Sequence, residues 1–198
     1  MPPTPRQPEV PAILSAFSRV VFGLAGWQVE TPTPDLPKFV AIGVPHTSNW
    51  DAVIMLFMAL ILRLRIYWIA KHTLFRPPFG GLLRALGGIP LNRDSTRNAV
   101  AQAVEFLNAR GQAVLVISPE GTRRHTAHWK TGFYYIAQGA GVPVVLGYVD
   151  YRRKRCGLGP ALMPSGDIEA DLAIIRDFYR DKTPRHPEQM SEIALPPR

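Results

Sequence analysis

Apolar runs of two rhythms take turns along this chain. Lys38 to Val44 is short, apolar and β-branched, which predicts a buried strand stopped by Pro45. Trp50 to Leu62 predicts a helix, capped by Ser48 with Asp51 in the capping-box position. Arg65 to Ala70 predicts a second strand. Thr73 to Leu86 has helical character that Pro77-Pro78 should break or kink, and Gly88 to Leu91 reads as a short strand or edge segment. Ser95 to Arg110 predicts a serine-capped helix with Val100, Val104 and Leu107 at helical spacing, ended by Gly111. A third buried strand (Gln112 to Ile117), a helix (Lys130 to Gly139) and another strand (Val142 to Asp150) follow. Arg155 to Pro164 reads as strand or loop, and Asp167 to Tyr179 as a final helix. The alternation predicts an α/β fold: a single layered domain with a mostly parallel sheet flanked by helices. It should span residues 9–181, with the proline-rich, polar segments 1–8 and 182–198 as loosely ordered tails.

Composition narrows the partners. The 198 residues suit one domain, and 46% hydrophobic against 19% charged residues excludes a disordered chain. Lys and Arg number 23 against 15 Asp and Glu, a net charge of +8 that favours an anionic partner. Nucleic acid is disfavoured, because the sequence has no zinc finger, helix-turn-helix signal or basic–aromatic stripe. An anionic membrane surface or a phosphorylated substrate remains. The single Cys156 excludes an internal disulfide framework and a multi-cysteine zinc site, and is compatible with a reducing cytoplasm. Its neighbours Arg152 to Arg155 favour a lowered thiol pKa, but no base stands beside it in sequence. The apolar run Ala52 to Leu62 is about half the length of a bilayer span. Val10 to Val29 comes nearer but carries Arg19, so an interfacial or core-packed amphipathic helix is expected there.

Two stretches carry candidate chemistry, and each follows a predicted strand. In His46-Thr47-Ser48-Asn49-Trp50-Asp51 an imidazole in the loop can meet a carboxylate in the first helical turn. A histidine oriented by a carboxylate is a general base for a hydroxyl near neutral pH. In Ser118-Pro119-Glu120-Gly121-Thr122-Arg123-Arg124, Gly121 permits close backbone approach, Thr122 offers a hydroxyl and Arg123 a planar fork for phosphate. A helix cap beside an incidental histidine, and a turn with a solvated Glu–Arg pair, are the plainer readings of each stretch alone. Metal binding finds no second close-spaced ligand cluster, and a serine hydrolase would need a Gly-x-Ser-x-Gly elbow that is absent.

Together with two further blocks, these stretches resemble the glycerolipid acyltransferases, which include the lysophosphatidic acid acyltransferases. The resemblance runs from about Lys38 to Asp150 and keeps the family's order. It comprises His-x4-Asp (His46 to Asp51), Gly88-Ile89-Pro90-Leu91-Asn92-Arg93, Pro119-Glu120-Gly121-Thr122-Arg123, and the proline strand Gly141 to Val145. Pro45 and Ser118 depart from the family's usual Asn and Phe.

The resemblance implies a fatty acyl transfer from acyl-CoA or acyl-carrier protein to the hydroxyl of a lysophospholipid such as 1-acylglycerol-3-phosphate. His46 would be the base and Asp51 its orienting partner. Arg93 and Arg123 would bind the acceptor's phosphate, Glu120, Gly121 and Thr122 would shape that site, and Lys71 would lie near the acceptor. No cofactor beyond the acyl thioester and no metal is implied. A catalytically silent lipid- or phosphate-binding protein on the same scaffold is the alternative. A membrane-associated enzyme on the cytoplasmic face is the expected setting, with Arg63, Arg65, Arg76, Arg84 and Arg152 to Arg155 as a candidate headgroup patch. Ala52 to Leu62, with Leu82, Leu83 and Leu86, reads as core or, alternatively, as part of an acyl-chain groove.

Overall fold

The computed structural model describes residues 10–30, 34–91 and 96–197, with only the backbone of Ala70, Lys71, Leu74, Leu91, Thr96 and Arg97. In chain order the elements are α1 (Ala12–Leu24), β1 (Gln28–Val29), β2 (Lys38–Val44), α2 (Asn49–Ile61), β3 (Ile66–Lys71), α3 (Gly80–Ala85) and β4 (Gly88–Leu91). They continue with α4 (Thr96–Asn108), β5 (Ala113–Ile117), α5 (Gly132–Ala140), β6 (Val144–Asp150), β7 (Arg155–Leu162) and α6 (Ile168–Tyr179). The strands form one sheet in the order β1-β7-β6-β2-β5-β3-β4. Neighbours from β4 across to β6 run parallel, β7 turns back antiparallel to β6, and β1 runs parallel to β7.

The central strand explains the layering. Every residue of β2 after Lys38 is buried, as a parallel strand covered on both faces requires. Successive side chains point to opposite faces, so Val40, Ile42 and Val44 enter a core with Leu107, Phe133, Ile136 and Ile175 from α4, α5 and α6. Phe39 and Ala41 enter the other core with Phe22 from α1 and Ile54, Met58 and Ile61 from α2. After β2 the chain leaves through α2 to reach β3, whereas after β5 it leaves through α5 to reach β6 on the far side of β2. Connections that part to opposite faces open a crevice beyond the carboxyl ends of β2 and β5.

Several expectations are refined. The helical pattern from Thr73 to Leu86 resolves into a 3-10 turn, His72–Phe75, and the short α3, with Pro77 and Pro78 between them. The segment after Arg155 is a strand, not a loop. β1 was not foreseen, because two residues cannot display a period of two. Within Ala52 to Leu62, Ile54, Met58, Ala59, Ile61 and Leu62 are core residues.

Residues 182–197, expected as a loose tail, run back over the domain. Thr183 accepts from the Tyr151 N–H, the Glu192 N–H donates to Thr126, and Ala194 accepts from the Trp129 N–H at 2.9 Å. The expected tail 1–8 and the serine cap at Ser95 lie outside the described residues. Cys156 is fully buried, and burial pushes its thiol up to about 12, opposite to the lowering that its basic neighbours suggested. Those neighbours turn elsewhere: Arg153 pairs with Asp150 and Asp181, and Arg155 with Glu30. Among the described residues no helix is long and apolar enough to cross a membrane.

Candidate active site

Ser48 adopts an extended conformation (φ −147°, ψ 156°) and caps α2, its hydroxyl accepting from the Trp50 N–H at 3.1 Å. Asp51 completes the capping box: its Oδ2 accepts from the Ser48 N–H and also from the Thr47 N–H, each at 2.7 Å. The same turn holds His46 with Nδ1 3.7 Å from Asp51 Oδ2. That distance exceeds a hydrogen bond, so the contact is electrostatic here; such bonds are often long before substrate binds. Asp51 Oδ1 accepts from the Tyr151 hydroxyl at 2.5 Å.

The loop after β5 approaches the imidazole from the neighbouring strand. Glu120 is buried beneath it, and its Oε1 accepts from the His46 N–H at 3.2 Å. Among the described residues Glu120 Oε2 has no hydrogen-bond partner, and burial raises the carboxyl to about 7, with the His46 N–H opposing the rise and the nearby Asp51 charge adding to it. Gly121 has φ +66°, a left-handed conformation that favours glycine, while a Cβ there would meet only the movable end of the Lys130 side chain. Arg123 is exposed and donates from Nη1 to Asn49 Oδ1, which ties the loop to the first turn of α2. Thr122 Oγ1 accepts from the Arg124 N–H at 3.3 Å.

These groups surround an open cleft of about 1370 Å³. Its polar wall includes His46, Thr122, Arg123, Arg124 and Lys130; its apolar wall includes Ile69, Val100, Val116, Phe133 and Ile136. The apolar surface therefore comes from β3, β5, α4 and α5, while Ile54, Met58, Ala59 and Ile61 of the α2 run considered for an acyl groove pack in the core. The basic wall suits an anionic group and the apolar wall a hydrocarbon chain.

His46 is held below the ordinary imidazole range, chiefly by burial, with Asp51 opposing and Arg123 adding to the effect. Its neutral, proton-accepting form is thereby favoured near neutral pH.

The structure brings His46, Asp51, Glu120, Gly121, Thr122 and Arg123 together at one end of the sheet. Glu120 stands behind the histidine loop and does not line the cleft. Lys71 closes β3, opposite Leu91 of β4, with its backbone alone described, and Arg93 lies outside the described residues. Sequence reasoning missed Tyr151 and the C-terminal segment. His186 donates its N–H to Thr47 Oγ1 at 3.3 Å, and the Gln189 amide, oriented to satisfy both ends, donates to the Arg123 and Thr47 carbonyls at 2.6 and 3.1 Å. No local pattern ties these residues to His46, which lies more than a hundred positions away.

A family profile described as Acyltransferase matches residues 32–146. Among solved structures, the chain is similar to PlsC, the 1-acyl-sn-glycerophosphate (LPA) acyltransferase from Thermotoga maritima, at 19% identity and a TM-score of 0.59. That similarity covers 87% of this chain and 80% of the other. No curated protein matches the chain in sequence.

Proposed function

The chain belongs to the acyltransferase family, and from that premise we propose that it moves a fatty acyl group from a thioester to the hydroxyl of a lysophospholipid of the 1-acylglycerol-3-phosphate type. The observation that carries this reading is a neutral-leaning His46 beside Asp51, facing a cleft with one cationic and one apolar wall. With Nδ1 turned toward Asp51, Nε2 is left to take the proton from the acceptor hydroxyl. The oxygen attacks the carbonyl carbon of acyl-CoA or acyl-carrier protein, the carbon–sulfur bond breaks, and the thiolate leaves and takes up a proton. Asp51 stabilises the transient imidazolium. Base assistance of this kind is worth roughly 10²–10⁴ in rate, so positioning in the cleft supplies the remainder. Arg123 is the acceptor-phosphate ligand among the described residues, and the cleft wall of Ile69, Val100 and Phe133 holds acyl chain.

The enzyme works from the cytoplasmic face of an anionic membrane, docked through α1. This helix buries Ser15 and Ser18, whose small polar side is turned inward, with the Ser15 hydroxyl donating to the Ile61 carbonyl at 3.0 Å. Outward it presents Ile13, Phe17, Val20 and Leu24, from 62% to 84% exposed and spaced as one helical stripe. An apolar stripe on a chain of net charge +8 suits a lipid surface carrying negative headgroups.

One experiment tests both parts. Purified protein is mixed with anionic vesicles containing a lysophospholipid panel and acyl-CoA or acyl-carrier-protein donors, and products are read by mass spectrometry. The wild type should sediment with the vesicles at low salt and acylate a phosphorylated acceptor; His46→Ala should sediment equally and lose at least about 10²-fold in rate. Equal turnover by the two proteins would remove His46 from the chemistry, and a protein left in the supernatant would refute the docking.

A further inference from the structure

Tyr151 stands on the first residue past β6, one hundred positions from Asp51. Its place follows from the sheet. β6 and β2 are parallel neighbours, with Val44 opposite Tyr148, so the chain leaving β6 emerges beside the chain leaving β2. The turn that carries it is fastened by Asp150, whose Oδ1 accepts from the Arg152 and Arg153 N–H groups and whose Oδ2 pairs with Arg153. The ring is held edge-on to Trp27 at 5.1 Å, the Arg185 guanidinium lies 6.0 Å from its centroid, and its N–H donates to Thr183. Three separate parts of the chain, the turn after β6, Trp27 and the C-terminal segment, thus aim one hydroxyl.

The target is the unserved half of a buried acid. Asp51 is 0% exposed. Both backbone donors reach its Oδ2, and among the described residues Tyr151 is the hydrogen-bond partner of Oδ1. We infer that Tyr151 is a positioning residue for the His46–Asp51 pair: with Oδ2 held in place by its two amides, the hydroxyl on Oδ1 fixes the plane of the carboxylate and so the direction from which Oδ2 meets His46 Nδ1. This rests on the reading of His46 as the base of acyl transfer. Burial and the donation to Asp51 hold the phenol above its ordinary value, so it remains a donor through the working pH range. Drawing charge toward Oδ1 also weakens the pull of Asp51 on an imidazolium, which keeps His46 neutral. The other charged or titratable groups around the pair are Glu120 and Arg123 from the loop after β5, and Arg185 and His186 from the C-terminal segment. None of them contacts Asp51 Oδ1.

Tyr151→Phe keeps the ring and removes only the hydroxyl. The histidine resonances of the full chain are titrated by NMR without substrate, His46 being assigned by the signal missing in His46→Gln. With the two amides still pinning Oδ2, the His46 midpoint should rise by about 0.5 pH unit or more. In the acyl-transfer assay kcat should fall about tenfold with KM for donor and acceptor within about twofold, and the acid limb should move upward with the midpoint. The thermal midpoint should stay within about 2 °C of the wild type, which separates positioning from loss of fold. A His46 midpoint unmoved or lowered, or a raised midpoint with unchanged kcat, overturns the proposal. A wild type that transfers no acyl group overturns the functional reading instead, while the titration still decides whether Tyr151 governs the pair.

Discussion

Two buried carboxylates flank His46, one at the start of α2 and one in the loop after β5, and they are solvated in opposite ways. Asp51 is 0% exposed and Glu120 1%. Among the described residues Asp51 receives two backbone N–H groups and a phenol, while Glu120 receives one N–H and leaves Oε2 without a partner. Equal burial therefore comes with unequal provision of donors. A carboxylate removed from water needs protein donors to hold its charge, and it accepts a proton more readily where they are few. Asp51 is equipped to orient the imidazole and balance an imidazolium. Glu120, raised to about 7, is equipped to brace the His46 backbone from behind.

The largest test of this contrast is Asp51→Asn. It replaces one of the two acceptor oxygens by an NH2 group, which then faces either the Tyr151 hydroxyl or the two backbone N–H groups, and it removes the charge facing His46. We expect kcat to fall by roughly 10²–10⁴ and the helix cap to lose about 1–2 kcal/mol, read by steady-state kinetics and denaturant unfolding. Activity within a few-fold of wild type would erase the distinction between the two acids.

Glu120→Gln probes the other side through pH. The carboxyl of Glu120 is raised in the folded protein, so the native state binds its proton more tightly than the unfolded chain. The stability it contributes is fully present below the unfolded value of about 4.5 and is lost as pH rises through about 7. Wild-type stability should therefore decline relative to Glu120→Gln across that window, by up to about 3 kcal/mol. His46, whose value is lowered, contributes in the opposite sense, but it is common to both proteins and cancels in the difference. Parallel thermal midpoints from about pH 5 to 8 would sink the assignment.

The smallest effect belongs to Ser48→Ala, which deletes the hydroxyl that caps the Trp50 N–H and leaves both Asp51 bonds in place. A loss of about 1 kcal/mol with kcat within about twofold is expected. A rate loss rivalling Asp51→Asn would assign the effect to the cap rather than to the carboxylate.

The legible parts of the site were those set by neighbours in sequence. Ser48 and Asp51 lie three residues apart, so the capping box is a local bond pattern, and it places Asp51 beside a histidine that must sit in the preceding loop. The strand before that loop announced itself through an unbroken apolar run, because both of its faces meet a core. Local chemistry also misled: the arginines before Cys156 turn outward to Asp150, Asp181 and Glu30, while the thiol points into the core. The proline-rich end looked loose because its order comes from bonds to Thr126, Trp129 and Thr47, none of them near it in sequence.

The sequence by itself determined the α/β alternation, the His46–Asp51 turn and the glycine-and-arginine loop, since each rests on periodicity, capping or a motif within a few residues. Only the tertiary structure decided that Glu120 lies behind His46, that the apolar wall of the cleft comes from β3, β5, α4 and α5, and that Tyr151 completes Asp51. Those relations arise when parallel strands from distant parts of the chain end side by side. Strand order, which no local pattern encodes, sets them.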